Sequence, residues 1–552
     1  MPKIEVGASD LKRLSGLDSL SPSDLEERLT LLKAEIDDWR KDTIKIELND
    51  TNRPDLWSVE GVARALRCGE RGRTDHLRDM PAPSRKVTVN AAMKGIRPYV
   101  ACFRATGYSL DDPALEALIQ SQEKLAESYG GKRGRAAIGF HRAEEISFPV
   151  SYGPAPPSTV FHPLGEEGEM ELAEVLSRTE KGRQYAHLLE GMDLYPVLTD
   201  SSDEVFSFPP VINSNATGRV RPGDDDLFCD VTGTDWETVQ LAATILACNL
   251  EDRGAEIEPL RTAYPYETPA GRSPVAPLLF ADSLEAEKAR MESVLGTTLS
   301  DSEISGALSR MDYVLAEVVD GSVRGVLPPY RCDGLHPVDM IEDVAIGRGY
   351  HSFQPVRLSG YTIGRVSPRQ LLADELRTVL VGMGCEEILR PVLVSETKLR
   401  ELTDTTGRAV RLANPMTAEY SVVRSSLLPG LLETESVSGH AAYPHRMFEL
   451  GEVVRVDDDG LTASEEVLAF LACGNDVDLG VAHSILGGLC RARMVNLELE
   501  ESEDRRFVPG RSALVRIDGE AAGMIGEVHP AVLDRWGIDR PGSAFEIGLA
   551  TL

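Results

Sequence analysis

Apolar residues near the start of the chain follow two different periods, which predicts an N-terminal α/β module over residues 1–85. A spacing of three or four positions, typical of a helix, links Leu25, Leu29, Leu32 and Ile36. Ser23 can cap this predicted helix. Alternating apolar and polar residues then predict a strand over residues 43–48. A short helix is predicted after Ser58, and the Pro-rich run at 81–85 indicates a linker.

The region from 86 to 260 has the pattern of a mixed α/β domain. It opens with a strand-like run and ends with a predicted amphipathic helix over residues 236–250, entered through Thr234 and Asp235. Between them, many Pro and Asn residues stand next to short apolar runs. This combination predicts ordered loops, which are candidates for a functional site.

A small helical module is predicted over residues 261–352. Its predicted helix is the segment SLEAEKARMESVLG at 283–296. The module ends in an acidic stretch that is a candidate metal site.

The last region, 353–552, is predicted to be an antiparallel sheet domain with helices. Ser367 followed by Pro368 is a strong helix start, because Ser caps the helix and Pro suits its first turn. A strand is predicted over residues 385–394, and residues 447–456 form the clearest strand of the region. The predicted fold class is therefore α+β, with several domains.

Composition supports a multidomain globular protein. The chain has 552 residues, of which 42% are hydrophobic and 27% charged. No stretch approaches the roughly 20 apolar residues of a membrane span, so we expect no membrane insertion. Eight cysteines lie far apart without a CxxC pair, and the N-terminus lacks a secretory pattern, so we expect reduced thiols in a cytoplasmic protein.

The charge is strongly acidic, with a formal net charge of −31. Binding to nucleic-acid phosphates needs a basic surface. Any such contact must therefore be local or come from another subunit. The Lys-poor composition fits either a saline cytosol or a GC-rich genome, and the sequence leaves both open.

Five motifs occur in an order that is typical of one protein family. They are NDTNRPDLWSVEGVARAL at 49–66, SFPPVINS and DVTGTD within 207–235, RCDGLHPVDMIEDVAIGRGY at 331–350, NPMTAEYSVVRSSLLPGLL at 414–432, and GEVHPAVLDRWGI at 526–538. With these motifs the chain resembles the β subunit of phenylalanine–tRNA ligase in its archaeal and eukaryotic form. The resemblance covers nearly the whole length.

The resemblance implies an α2β2 heterotetramer that joins L-phenylalanine to tRNA(Phe) with ATP. It places the aminoacylation site, with its ATP and L-phenylalanine, in the α subunit. It assigns to this chain small helical and winged modules, an editing domain over 86–260 that hydrolyses mischarged Tyr-tRNA(Phe), and a class II synthetase-like domain over 353–552 without aminoacylation activity.

Residues of the last region agree with an inactive synthetase-like domain. In HRMFELGE, Arg446 and Glu449 stand one residue further apart than is usual for a class II site. Near the C-terminus, Glu546 is not followed by the arginine that a nucleotide-binding motif needs. We therefore expect that this chain alone does not aminoacylate tRNA.

An acidic cluster is a candidate metal site. Asp339, Glu342 and Asp343 share one helix face, and Asp333 lies just upstream. Several carboxylates that converge in this way suit Mg²⁺. Acidic residues in a first helical turn are also favoured by the helix dipole without any metal, so the spacing leaves both interpretations open. The resemblance implies Mg²⁺ at these four residues, in a site shared with the α subunit.

The editing function has a physical rationale. An apolar pocket that accepts Phe excludes Tyr poorly, whereas a second site that hydrogen-bonds the hydroxyl selects Tyr well. The resemblance assigns this second pocket to Leu198, Ser207, Asp230 and Thr232. Asn213 shares a Pro-stiffened loop with Ser207, Asp230 stands in a Gly-flanked polar turn, and Asp235 is expected only to cap a helix. Because no Ser–His or Cys–His pair is apparent, we expect an oriented water to attack the ester.

A short basic run at 130–135 contrasts with the acidic background. Its side chains Lys132, Arg133 and Arg135 can contact tRNA phosphates, or the run can be a solvated flexible loop. His141 lies where the family commonly has a His followed by an acid. Here Arg142 follows, which argues against a catalytic role for that pair.

Two other functions fit the same sequence. One is a free-standing hydrolase for mischarged tRNA that needs no partner. The other is a non-catalytic scaffold subunit whose editing pocket has decayed. Co-purification with a smaller synthetase-like chain distinguishes the first alternative, and a deacylation assay distinguishes the second.

Overall fold

A computed structural model describes residues 2–17, 21–50, 52–71 and 75–552. These residues divide into two compact units, 1–357 and 358–552. None of the helices in the described ranges has both the length and the apolarity that crossing a bilayer requires. All eight cysteines are free thiols, and seven of them are buried.

The N-terminal part of the first unit is a small α/β module. Its elements are β1 (Lys3–Gly7), α1 (Ala8–Ser15), α2 (Pro22–Leu29), β2 (Ala34–Arg40), β3 (Thr43–Leu48) and α3 (Val59–Arg71). The strands form a sheet in the order β1-β3-β2. The strand predicted over 43–48 is confirmed as β3. The helix predicted after Ser58 is also confirmed, because the Ser58 hydroxyl accepts a hydrogen bond from the Gly61 N–H at 3.0 Å.

The first predicted helix is wrong in its cap and its extent. The cap is Ser21, whose hydroxyl accepts from the Asp24 N–H at 3.2 Å, and Ser23 lies inside the helix. The chain tightens after Leu29, and Lys33 adopts a left-handed conformation with φ of 50°, which ends the helical path. Ile36 therefore lies in β2.

The second part of the first unit is built on a ten-stranded sheet with the order β12-β11-β10-β7-β4-β14-β5-β13-β6, to which β15 adds at β14. The strands are β4 (Arg85–Val89), β5 (Tyr99–Thr106), β6 (Ala136–Arg142), β7 (Val150–Ala155), β10 (Tyr195–Thr199), β11 (Val205–Phe208), β12 (Ile212–Asn213), β13 (Asp226–Gly233), β14 (Glu256–Ala263) and β15 (Val275–Ala276). A separate ribbon joins β8 (Val160–Phe161) and β9 (Met170–Glu171). The helices are α4 (Asp112–Lys124), α5 (Leu172–Arg178), α6 (Glu180–Tyr185) and α7 (Trp236–Asp252).

Helix α7 anchors this sheet to the core. Residues from Trp236 to Leu250 are almost all buried, and the helix packs on β5 and β13. Its predicted cap is confirmed, since the Asp235 carboxylate accepts from the Thr238 N–H at 2.9 Å. The sheet continues past the predicted domain boundary at residue 260, which falls within β14.

Two local predictions about this region are wrong. Ser207 and Asn213 were expected on a loop, but they pair with each other on the short strands β11 and β12, joined through Pro209 and Pro210. Asp230 was expected in a turn, but it lies in β13. That strand is hydrogen-bonded on both sides, by β5 and by β6, so residues 226–233 are held extended.

The third part of the first unit combines a sheet with helices. Its elements are β16 (Ser283–Glu287), α8 (Lys288–Leu295), α9 (Asp301–Arg310), β17 (Leu315–Val319), β18 (Ser322–Val326) and α10 (Pro337–Arg348). The strands pair in the order β16-β18-β17. The helix predicted over 283–296 is wrong in its first half, because Leu284 and Ala286 alternate into the core as strand residues.

The second unit is a seven-stranded sheet with helices on both faces, in the strand order β19-β22-β23-β27-β26-β25-β24. Its strands are β19 (Glu386–Glu387), β22 (His445–Val456), β23 (Thr462–Cys473), β24 (Leu497–Glu501), β25 (Phe507–Ile517), β26 (Glu520–Val528) and β27 (Gly542–Gly548), and a ribbon joins β20 (Leu393–Val394) and β21 (Val422–Val423). The helices are α11 (Pro368–Gly382), α12 (Leu428–Val437), α13 (Leu479–Arg493) and α14 (Pro530–Arg535).

Alternation along the long strands fills two apolar cores. Phe448 and Phe470 pack with α11 and α13 on one face, whereas Met447 and Leu471 pack with α12 on the other. The helix predicted at Ser367 is confirmed as α11, with Ser367 as its cap. The strand predicted over 385–394 is instead two short strands that pair with different neighbours. Pro391 lies between them and interrupts the strand.

Candidate active site

A cavity of about 440 Å³ opens in the second part of the first unit. Helix α4, strand β6 and the turn between β11 and β12 supply most of its lining. The apolar lining includes Leu115, Leu118, Ile119, Ile138, Phe140, Phe208 and Val211, and the polar lining includes Glu123, Arg133, Lys181, Ser207, Asn213, Arg219 and Asp230. A mostly apolar cavity with a few convergent polar groups is the usual form of a small-molecule site.

Two of the four predicted editing-pocket residues, Ser207 and Asp230, meet in this cavity. Ser207 and Asp230 are each 2% exposed, so they mark its inner end. The Ser207 hydroxyl donates to the Asn213 side-chain oxygen at 3.4 Å, and the Asn213 amide donates to the Phe140 carbonyl at 3.2 Å. These contacts fix the orientation of the Asn213 amide at the cavity wall.

The Asp230 carboxylate is held by a chain of buried polar groups. His141 Nε2 donates to Asp230 Oδ1 at 2.7 Å, and His141 Nδ1 lies 3.0 Å from the Thr217 hydroxyl. The Thr217 hydroxyl in turn lies 3.0 Å from that of Ser214. In a neutral imidazole whose Nε2 donates, Nδ1 is left as the acceptor for Thr217. Asp230 Oδ2 has no hydrogen-bond partner among the described residues and remains available to a ligand.

Gly139 keeps this end of the cavity open. A side chain at Gly139 would place its Cβ 2.6 Å from Asp230 Oδ1, 2.8 Å from His141 Nε2 and 3.0 Å from Asn213 Oδ1. Carbon atoms cannot approach polar atoms this closely without displacing them. The absence of a side chain therefore leaves room for the His141–Asp230 pair at the cavity wall.

Leu198 and Thr232 lie beside the cavity without lining it. Leu198 is buried in the apolar core and stands opposite Ser207 in the pairing of β10 with β11. The Thr232 hydroxyl accepts from the buried Arg97 Nε at 3.1 Å. Burial lowers the pKa of Arg97 to about 10, which still leaves it charged at neutral pH. Thr232, two residues after Asp230 on β13, thus binds a buried cation on the same face of that strand.

The basic run is partly used within the chain. The Arg133 guanidinium stacks on the Tyr185 ring at 4.2 Å and donates to the carbonyls of Pro210 and Val211. Arg135 donates to the Tyr129 carbonyl at 2.7 Å. Lys132 is exposed and adopts a left-handed conformation with φ of 52°. Arg133 also lines the cavity, whereas Lys132 and Arg135 do not.

Sequence reasoning missed the partners of Asp230. In the sequence, the Arg142 that follows His141 argues against a catalytic role, but Arg142 pairs with Glu144 and Asp224 and does not line the cavity. One signal was available: a glycine inside a strand, here Gly139 in β6, often marks a close approach to another group. No comparable signal in the sequence identifies Thr217.

The acidic cluster lines a small cavity of about 30 Å³. Asp333 and Asp343 share the Arg331 guanidinium, whose Nη2 donates to Asp333 Oδ2 at 2.6 Å and to Asp343 Oδ2 at 2.9 Å. Burial raises the pKa of Asp333, but the charges of Arg331 and Arg53 outweigh it and hold that pKa below its usual range. Both carboxylates are therefore neutralised by arginine.

The other two carboxylates are also engaged. Asp339 Oδ2 accepts from the backbone N–H groups of Leu335 at 2.8 Å and His336 at 2.7 Å, at the start of α10. Glu342 pairs with Lys33 at 2.8 Å, and Lys33 also pairs with Asp50 at 3.1 Å.

This arrangement does not fit a bound metal ion. Within the described ranges, no three His, Cys, Asp or Glu side chains are placed so that they can hold one. The cations Lys33 and Arg331 stand among the four carboxylates instead. A magnesium ion at these residues stays a prediction from the resemblance.

In the second unit, Glu449 of the altered HRMFELGE motif belongs to a buried ion pair. Arg424 Nη1 donates to Glu449 Oε1 at 2.6 Å, and Glu449 is fully buried. The cavity that Arg424 lines has a volume of only about 40 Å³. Glu546 accepts a hydrogen bond from the Ser426 hydroxyl, and Arg446 donates to the Met383 carbonyl at 3.5 Å.

Comparisons with known proteins find similarity to one family along the whole chain. Residues 284–350 match the tRNA synthetase B5 domain, and residues 356–549 match the phenylalanyl-tRNA synthetase beta chain CLM domain. The phenylalanine–tRNA ligase beta subunit of Borrelia hermsii is 36% identical over 564 residues, covering 100% of this chain and 99% of that protein. Its counterpart from Pyrococcus abyssi is 36% identical over 563 residues, covering 100% of both chains.

One similar solved structure covers more than half of the chain. The crystal structure of an N-terminal fragment of the phenylalanyl-tRNA synthetase beta subunit from Pyrococcus horikoshii is 37% identical, with a TM-score of 0.60. It covers 63% of this chain and 100% of the fragment. The chain therefore belongs to the family of phenylalanine–tRNA ligase β subunits.

Proposed function

We propose that this chain, as a phenylalanine–tRNA ligase β subunit, hydrolyses Tyr-tRNA(Phe) in the cavity that ends at Asp230. One observation carries the proposal: an apolar cavity ends on a buried carboxylate that His141 already orients and that Gly139 leaves uncovered. Ser207 and Asp230 line the cavity, and Leu198 and Thr232 form the layer behind it.

The cavity suits a phenol better than a phenyl ring. Apolar side chains such as Leu118 and Ile138 can pack on an aromatic ring, while Asp230 Oδ2 accepts the phenolic hydrogen. A hydrogen bond to a charged group contributes about 1.5–3 kcal/mol, which corresponds to about ten- to hundredfold discrimination. Phe would cover the carboxylate without satisfying it, and an unpaired buried charge is costly.

The hydrolysis needs no covalent intermediate with the enzyme. A water molecule attacks the ester carbonyl, the ester C–O bond breaks, and the terminal ribose hydroxyl of the tRNA leaves with a proton. The products are tyrosine and uncharged tRNA(Phe). Asp230 and Asn213 act in this scheme by fixing the position of the aminoacyl group, since a well-placed reactant lowers the entropic part of the barrier.

We further propose that aminoacylation belongs to an α subunit, in an α2β2 assembly that binds ATP and L-phenylalanine there. Support comes from the second unit, which we assign to a class II synthetase-like core. The volume of its cavity at Arg424 is far below the roughly 300–1,000 Å³ of a typical ligand pocket. Arg424 is also engaged in an ion pair with Glu449 within the chain.

The tRNA has a candidate contact near the cavity. Lys132 is exposed beside Arg133 and Arg135, although the two arginines are partly engaged within the chain. We propose that this run lies along the path of the tRNA.

A deacylation assay tests the proposal. We expect the complex of this chain with its α subunit to release tyrosine from Tyr-tRNA(Phe) at least tenfold faster than phenylalanine from Phe-tRNA(Phe). No hydrolysis of either substrate would identify a scaffold subunit. Full activity of this chain without any partner would favour the free-standing hydrolase.

A further inference from the structure

Exposure separates the mouth of the cavity from its inner end. Asp230 and Ser207 are buried at the inner end, whereas Arg219 is exposed and Lys181 is half-buried. Lys181 lies on α6, and Arg219 lies in the connection between β12 and β13. Two cations from different parts of the chain therefore stand at the opening of one cavity.

These two cations have no partner among the residues that the structure describes. Arg133, which also lines the cavity, is held by Tyr185 and by two carbonyl oxygens. Lys181 and Arg219 make no side-chain hydrogen bond or ion pair in the part of the chain that the structure describes. Both are therefore free to bind an anion without breaking an internal contact.

The chemistry of an aminoacyl ester limits which anion this can be. The esterified amino acid has lost its carboxylate and carries a cationic ammonium group. The negative charges of such a substrate are the phosphodiesters that precede its terminal nucleoside. With the side chain against Asp230, the ester and ribose lie toward the mouth, and a phosphodiester follows.

We propose that Lys181 and Arg219 form a phosphate subsite that binds the last phosphodiester of a polynucleotide 3′ end. The proposal rests on the proposed hydrolysis only for the orientation of the aminoacyl group. A subsite of this kind makes the cavity act on amino acids attached to a polynucleotide and not on free amino acids. It also gives an acidic chain a local basic contact for nucleic acid.

Lys181→Met and Arg219→Gln test the subsite in the full chain. Lys124→Met is the matched control, because Lys124 ends α4 beside the cavity without lining it. The first probe is a fluorescent oligoribonucleotide with tyrosine joined to its 3′ end by an amide, which cannot be hydrolysed. The second probe is adenosine with tyrosine joined by the same amide bond. It has no phosphate, and its binding is measured by calorimetry.

We expect each variant to weaken binding of the oligoribonucleotide roughly three- to tenfold, with a log–log salt slope smaller by about 0.7 per lost contact. Binding of the adenosine compound should not change, and Lys124→Met should behave like the parent chain with both probes. Equal weakening of both probes, or no weakening of either, would overturn the proposal.

Two further readouts separate the possible failures. If the variants lose affinity for free tyrosine instead, the cations bind an amino-acid carboxylate and the phosphate subsite is wrong. If the parent chain shows the phosphate dependence but hydrolyses no Tyr-tRNA(Phe), the subsite stands and the proposed function fails. If it hydrolyses the ester while the variants bind the oligoribonucleotide normally, the function stands and the subsite fails.

Discussion

His141 and Asp230 form a diagonal pair across two neighbouring strands, with His141 Nε2 2.7 Å from Asp230 Oδ1. In the register of β6 and β13, His141 stands opposite Phe228, and Asp230 stands opposite Gly139. Diagonal neighbours lie further apart than directly opposite residues, and a side chain opposite Asp230 would stand between it and His141. Because Gly139 has none, the imidazole can reach the carboxylate and hold it at the cavity wall.

The pair should behave as one unit in a double-mutant cycle. We expect His141→Gln and Asp230→Asn each to slow Tyr-tRNA(Phe) hydrolysis, and the double variant to be little slower than either. The coupling should be about 1–2 kcal/mol, because each substitution removes the same charge-assisted hydrogen bond. Single-turnover rates provide the measurement. Additive effects would show that His141 does not act through Asp230.

Gly139→Ala should close the inner end of the cavity. Its methyl group would lie 2.6 Å from Asp230 Oδ1, so the carboxylate or His141 must move. We expect at least a tenfold loss of hydrolysis and a loss of stability of about 1–3 kcal/mol, as for other overpacked sites. Gly168→Ala is the control, since its added Cβ meets nothing within 4 Å. A Gly139→Ala variant with the parent rate would mean that the substrate does not use this end.

Asp252 should make stability depend on acid. Its carboxylate pairs with Arg64 at 2.7 Å, Arg67 at 2.6 Å and His76 at 3.0 Å, which ties α7 to α3. Burial raises the pKa of Asp252, but Arg64, His76 and Arg67 outweigh it and hold that pKa below its usual range. A depressed carboxyl pKa contributes stability above the unfolded value of about 3.9, and the contribution is lost as pH falls through the native value.

Urea unfolding at stepped pH checks this linkage. We expect the parent chain to lose stability below about pH 4, and Asp252→Asn to lack this part of the pH dependence. At pH 7 the variant should be less stable by about 3–5 kcal/mol, because the buried Arg64 loses its counter-charge. Asp79→Asn, at an exposed residue, should match the parent chain. Identical acid profiles for parent and Asp252→Asn would contradict the assignment.

Lys33 should oppose divalent-ion binding at the acidic cluster. Its ammonium group lies between Asp50 and Glu342, where a cation would otherwise be attracted. We expect weak Mg²⁺ binding by the chain alone, and roughly tenfold tighter binding by Lys33→Met because the competing charge is removed. Calorimetry measures this, with Lys45→Met as a control for an exposed Lys–Glu pair. Tight binding by the parent chain would show that the carboxylates rearrange around the ion.

Elements with local signals could be predicted from the sequence. Asp235 before a long apolar helix and Ser367 before Pro368 each set a helix start, and both starts are present. Ile36 and residues 283–287 misled the prediction because their spacing fits a helix or a strand, and only tertiary pairing decides between the two. Pro391 offered a signal against one continuous strand over 385–394 that the prediction did not use.

The site depended on contacts between distant residues. Ser207 and Asp230 could be proposed because they stand in motifs that resemble a known family. The partner of Asp230, His141, lies 89 residues away in the sequence, so no local spacing reveals it. In the same way, the positions of Asp339 and Glu342 predict one shared helix face, but they cannot show that Lys33 reaches that face from the N-terminal module.

The central claim is that Asp230 selects for the tyrosine hydroxyl. The direct measurement is the ratio of hydrolysis rates for Tyr-tRNA(Phe) and Phe-tRNA(Phe), compared between the parent and Asp230→Asn in complex with the α subunit. We expect the ratio to fall about ten- to hundredfold in Asp230→Asn, with aminoacylation of tRNA(Phe) unchanged. Asp235→Asn, which still caps α7, should keep the parent ratio. A ratio that is the same in Asp230→Asn and in the parent would contradict the account.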